Sequence, residues 1–178
     1  MPTSTADIWD TIGSEAGAES RLWTNALREP EEQERVPVFS VLAESRYALG
    51  IETIYEGYLL HYGRPRLFTP EDDDTALLLG DYLYAHGLVR IERVGSVEAV
   101  DDLAELIALC AYLQAEQIPG DGPLWAATAT VIGRSSLDDA RTSLRLDNDP
   151  GPLERLARET AGDREVSGSL DAHRARLG

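Results

Sequence analysis

Four acidic side chains stand together at Glu71, Asp72, Asp73 and Asp74, in the stretch "TPEDDDTALLLGDYLYAHGL". Carboxylates are the ligands Mg²⁺ takes, in near-octahedral geometry. Successive residues on a helix point about 100° apart, so adjacent aspartates do not converge on one ion, whereas acids at i and i+3 or i+4 would. The first turn of a helix also favours negative charge, by about 0.3–1 kcal/mol per group. The run therefore reads as a helix start, with Thr69 as N-cap, Pro70 at the first helical position and the acids after them. No metal ligand is assigned.

Other residues could do chemistry. Asp81 lies inside the apolar run "ALLLGDYLYA", where a carboxylate needs a partner, either a ligand or an Arg or Tyr on a neighbouring helix. "HYGRPRL" sets His61, Arg64 and Arg66 around a turn. Two guanidinium groups near a helix end can grip a diphosphate or carboxylate, or can complement the helix dipole and pair with local acids. Arg64, Arg66 and Asp81 are thus the candidate ligand-binding residues. Asp101, Asp102, Asp138 and Asp139 read as helix starts, and His86 and His173 as isolated surface or satisfied polar positions. Cys110, the single cysteine, sits in "LIALCAYL" and reads as a small buried hydrophobe. No Ser-His-Asp, Cys-His or HExxH spacing occurs, so no catalytic residue and no cofactor are assigned.

The composition narrows the classes. The 178 residues carry a formal net charge of −16, which repels nucleic-acid phosphates and anionic lipid headgroups and suits solubility or docking onto a basic partner. All 16 basic residues are Arg, which excludes a Schiff-base Lys and a P-loop Lys. One cysteine excludes an internal disulfide and a Cys-rich zinc site. "MPTSTADIWD" lacks the basic and apolar regions of an export signal, and "LWAATATVIG" is about half the ~20 residues that span a bilayer, so a cytoplasmic location without membrane insertion is expected.

The elements that must position these residues are helical, and an all-α helical bundle is expected. Residues 6–28 hold one or two amphipathic helices, and "REPEEQERVP" is a charged linker. Tyr47, Ile51, Ile54, Tyr55, Tyr58 and Tyr62 recur at helical spacing over 38–62, and Gly63 and Pro65 stop that helix. Helices follow over about 69–92, 97–117 behind Ser96, the apolar "LWAATATVIG", 136–146 and 153–160. Gly80 and Gly87, two turns apart, imply close approach of another helix. The chain divides into an N-terminal segment and linker (1–37), a helical core (38–161) and a loosely packed tail (162–178).

"HYGRPRLF" followed by "LLLGDYLYAHGL", then "DDLAELIALCAYLQAEQ" and "GPLWAATATVIG", resembles the middle of the trans-isoprenyl diphosphate synthases (polyprenyl synthetases) over residues 45–133. Those enzymes carry an Arg-rich turn, a "GDYLLA"-type motif and two DDxxD motifs that bind Mg²⁺-diphosphate. Here "IETIYEGYLLHYG" contains no Asp, "SSLDDARTSL" is not DDxxD, and the family's "KTA" Lys is missing. The resemblance implies a shortened isoprenoid-synthase-like bundle that lacks the means to ionise an allylic diphosphate. The function expected is that of a non-catalytic subunit or adaptor binding a protein partner, or a second copy, through its helical faces. The docking patch would lie on the N-terminal helix or the tail. The alternative is a binding protein for an isoprenoid or other apolar anionic small molecule, and beyond it an active prenyl-transfer enzyme or its accessory subunit.

Overall fold

The computed structural model describes residues 5–177; the reading of the first residues as no export signal rests partly on residues 1–4, outside that range. The described residues form nine α-helices: α1 (Thr5–Glu19), α2 (Arg21–Ala26), α3 (Ala48–Tyr62), α4 (Asp73–Val94), α5 (Val97–Glu116), α6 (Asp121–Val131), α7 (Asp138–Asp147), α8 (Gly151–Ala161) and α9 (Asp163–Leu177). The protein is an all-α bundle, as its periodicities predict. No described helix is long and apolar enough to cross a membrane.

The architecture is built around α3. Every residue from Gly50 to Leu60 is buried, as its apolar, aromatic-rich sequence requires. One side of α3 joins the larger core, with Phe39, Leu103, Leu106, Leu113 and Trp125. A smaller core binds Leu60, Leu67, Phe68, Leu79 and Leu83 to Ile8, Trp9 and Ile12 of α1. The N-terminal segment is therefore docked onto the main bundle. Its linker runs beside the Arg turn: Arg28 N–H donates to Leu67 O (2.9 Å) and Glu34 N–H to Arg66 O (3.1 Å). α6 is buried on all sides, as its composition predicts, and Cys110 is buried inside α5.

The close approach expected at Gly80 and Gly87 is the α3–α4 contact. A Cβ on Gly57 would lie 2.9 Å from the Gly80 carbonyl, and one on Gly80 would lie 2.6 Å from His61 Nε2. Glycines on both helices let the two backbones come together.

Two expected boundaries move, each because a distant partner takes a backbone group. Asp72, not Thr69, caps α4: its Oδ1 accepts from Thr75 N–H at 2.7 Å, while Thr69 N–H donates to Ala26 O at 2.7 Å. Thr69 is thus held in extended pairing beside the Leu27–Phe68 bridge. The acids are still a helix start, with Asp73 and Asp74 in the first turn. Residues 38–47 form two 3₁₀ turns, Ser40–Leu42 and Ser45–Tyr47, ahead of α3. They are pinned there by Val38 and Ser40 N–H groups donating to the Glu52 carboxylate at 3.2 and 3.1 Å.

Residues 162–178 are not a loose tail within the described range: α9 buries Val166, Ser169, Leu170, His173 and Arg176. The segment has few apolar anchors because polar ones do the work. Ser169 Oγ donates to Val38 O at 2.7 Å, Arg176 reaches Glu34 at 2.7 Å, and Arg64 N–H donates to Arg176 O at 3.0 Å.

Ala has a higher helix propensity than Gly by about 0.8–1 kcal/mol, yet Gly57→Ala is expected to destabilise the fold by about 1–3 kcal/mol through backbone overpacking. Gly168, where an added Cβ meets nothing within 4 Å, is the control. Gly168→Ala should gain about 0.5–1 kcal/mol in urea melts; equal effects at the two sites would rule out the glycine contact.

Candidate functional site

The three candidate ligand residues end in different environments. Arg66 is wholly buried. Its Nε donates to Glu56 Oε2 at 2.9 Å, Nη1 to Glu52 Oε2 at 2.5 Å and to Val36 O at 3.0 Å, and Nη2 to Glu52 O at 3.3 Å. Its guanidinium also lies over the rings of Trp9 and Tyr55, 4.7 and 4.9 Å from their centroids. Burial by itself would favour the neutral form, but Glu52 and Glu56 more than reverse this and raise the pKa. Arg66 is thus committed to the interior and offers nothing to a ligand. Arg64 is exposed, and its carbonyl accepts from Arg176 Nη1 at 3.4 Å.

Asp81 is not buried as expected: its side chain is 65% exposed, 3.2 Å from His61 Nε2. Gly80 takes the helix contact, and the next residue, about 100° further round, turns outward. Burial lowers the His61 pKa, with Asp81 opposing the shift.

Arg66→Met leaves two carboxylates buried without their cation and is expected to cost about 3–5 kcal/mol, enough to lower the thermal midpoint sharply. A loss below about 1 kcal/mol, the range of a surface pair, would contradict the role assigned to this cluster.

A second polar cluster escaped the sequence reading. Tyr55 and Tyr58 on α3, Gln114 on α5, Asp121 at the start of α6 and His173 on α9 meet beside Phe39 and Trp125. Three donors converge on Asp121 Oδ2: the Tyr58 hydroxyl, His173 Nε2 at 3.2 Å and Gln114 Nε2 at 3.3 Å. Tyr55 OH pairs with His173 Nδ1 at 2.9 Å, and Gln114 also donates to Tyr58 OH at 3.0 Å. Burial raises the Asp121 pKa, but hydrogen bonds from His173 and Tyr58 overcome it, so the net shift is downward. Burial and the Asp121 charge push the Tyr58 hydroxyl well above its ordinary value. In the sequence, Asp121 is one residue of the turn "IPGDGP" and His173 stands alone. They lie 52 residues apart, with no local motif joining them.

Because the Asp121 pKa is lower when folded, its contribution to stability is complete above the unfolded value of about 3.9 and drains away as the pH falls through the folded value. The thermal midpoint should therefore fall more steeply between about pH 5 and pH 2 for the native protein than for Asp121→Asn. Parallel curves would rule out this linkage.

The third feature is the outward surface of α4 and α5, which are joined through Gly95 and Ser96 and pack against each other. On α5, Ala104, Ala108, Ala111 and Ala115 follow at four, three and four residues, all exposed, with Val97 81% and Tyr112 40% exposed on the same helix. On α4, Leu77 and Leu78 are 52% and 58% exposed and Val89 44%. The exposed acids of the two helices include Asp74, Asp81, Glu92, Asp101 and Glu116, and Arg93 is the exposed basic residue among them. A heptad-like apolar seam thus lies open to solvent inside a field of carboxylates.

No group of three or more His, Cys, Asp or Glu among the described residues is placed to hold a metal ion. Compared with known proteins, the chain matches no family model, no curated protein and no solved structure. The protein is thus an all-α bundle whose α4 and α5 expose both apolar and acidic side chains.

Proposed function

We propose that the protein is a non-catalytic docking subunit that holds a basic amphipathic helix of a partner protein on the outward face of α4 and α5. The observation that carries this reading is the exposed row of Ala104, Ala108, Ala111 and Ala115 on α5, together with the exposed Leu77, Leu78 and Val89 of the packed helix α4. Small residues at alternating three- and four-residue spacing let another helix approach closely, and large apolar neighbours supply the buried area. The surrounding carboxylates select the partner's charge. An arginine- or lysine-bearing helix gains electrostatic complementarity and a faster encounter, while a second copy would set acid against acid. The N-terminal helix and the C-terminal helix, expected from sequence to carry the docking patch, bury apolar side chains against the rest of the bundle.

In this reading the likeness to trans-isoprenyl diphosphate synthases concerns scaffold, because Arg66 of the Arg turn is neutralised by the chain's own Glu52 and Glu56. The acidic surface and the single, buried Cys110 suit work in the cytoplasm.

The test is titration of the protein with a synthetic helix of about 20 residues, Leu and Ala along one seam and Arg on its flanks, against the same helix with Glu flanks. The Arg version should bind at least about tenfold tighter and weaken as salt rises. Ala108→Glu with Ala111→Glu should abolish binding while shifting stability by no more than about 0.5 kcal/mol per site, since both positions are exposed. Equal binding of the two helices, an unaffected double variant, or a stable dimer broken by that variant would each overturn the assignment.

A further inference from the structure

A cleft of about 420 Å³ opens between the start of α6, the first turns of α8 and the outer side of α9. That volume lies within the roughly 300–1,000 Å³ typical of small-molecule sites. Its apolar lining comes from Pro119, Pro123, Pro150, Leu170 and Leu177, and its polar lining includes Asp121 and His173. Asp121 therefore has two sides. Its Oδ2 is held from within by Tyr58, Gln114 and His173, and none of these three donors takes Oδ1. The side chain is 16% exposed, against 2% for His173.

Both arginines that line the cleft are paired with acids. Arg158 donates to Glu154 Oε1 through Nε at 3.0 Å and Nη2 at 2.7 Å. Arg174 is tied to Asp171 at 2.7 Å. His173 has both ring nitrogens engaged. Nδ1 lies 2.9 Å from the Tyr55 hydroxyl and Nε2 lies 3.2 Å from Asp121 Oδ2. The Asp121 carboxylate borders the cleft, oriented by three side chains drawn from α3, α5 and α9.

We propose that this cleft is a binding site for a small protonated amine with an apolar body. The ammonium is held by Asp121, and the hydrocarbon lies against the prolines and leucines. The Tyr58–Gln114–His173 shell fixes the carboxylate in one orientation, so ligand binding does not bear the cost of ordering it. The negative net charge of the protein draws cations toward the cleft. The inference is independent of the docking face, because the cleft uses neither the outward surface of α4 nor that of α5.

The experiment is calorimetric titration of the full chain with cyclohexylamine and benzylamine, using cyclohexanol and cyclohexanecarboxylate as controls of matched shape. The amines should bind saturably and at least about tenfold tighter than either control, and Asp121→Asn should remove at least about tenfold of that affinity. Arg174 lines the cleft, is largely exposed and lies outside the Asp121 cluster, so Arg174→Glu tests the site without touching the core. It should tighten amine binding by about two- to fivefold at low salt. Saturable binding of the alcohol as tight as the amine, no saturable amine binding, or a folded Asp121→Asn with unchanged affinity would overturn the proposal. If Asp121→Asn does not fold, Arg174→Glu decides: tighter binding supports the site, and unchanged binding overturns it.

Discussion

One buried cation organises the molecule. Arg66, Glu52 and Glu56 are fully enclosed, and each carboxylate also receives backbone N–H groups: Val38 and Ser40 on Glu52, Arg66 and Leu67 on Glu56. Ions this deep lose several kcal/mol of hydration each, and only a saturated set of partners offsets that loss. The set here is drawn from α3, from the Arg turn and from the segment that leads into α3, with Trp9 of α1 stacked over the guanidinium. Such a cluster does more for uniqueness than for net stability. An arrangement that shifts α3 by one turn, or releases the 38–40 segment, strands a charge in the core. The two non-helical stretches that carry the chain past α3 are therefore held as firmly as the helices.

This constraint explains how far the sequence could be read. Local signals sufficed for the helices. Ser96 caps α5 with its Oγ as expected, α6 is apolar all round and buried all round, and the glycines of α3 and α4 mark the tightest helix contact. Local signals failed wherever a polar side chain or a backbone group finds a partner far along the chain. Thr69 looks like an N-cap until Ala26 accepts its N–H. The 162–178 stretch looks unanchored until Ser169 meets Val38, 131 residues away, and Arg176 meets Glu34, 142 residues away.

The candidate site follows the same rule. Arg66 and Asp81 drew attention because one is a cation at a helix end and the other an acid in an apolar run. Burial inverts both expectations: the arginine goes inside because two glutamates one turn apart on α3 await it, and the aspartate goes outside because its glycine neighbour takes the contact. The Asp121–His173 pair has the converse history. In sequence Asp121 is one residue of a turn and His173 an isolated surface or satisfied polar position, and only the return of α9 across α3 brings them to one cleft. Residues whose role is local could be assigned from spacing, whereas residues whose role is long-range needed the fold.

The balance of charge inside and outside ties these features to binding. Inside, acids are matched: Glu52 and Glu56 by Arg66, and Asp102 by Arg141 at 3.3 Å. The chain has half as many basic as acidic residues, 16 against 32, so matching the interior leaves the surface strongly acidic. Part of that excess lies on α4 and α5, which also leave apolar side chains exposed. An unpaired charge on an otherwise polar surface needs no explanation, because water solvates it. Charges beside exposed apolar side chains are different: in the docking role proposed above they would keep identical chains apart while admitting a surface of opposite sign.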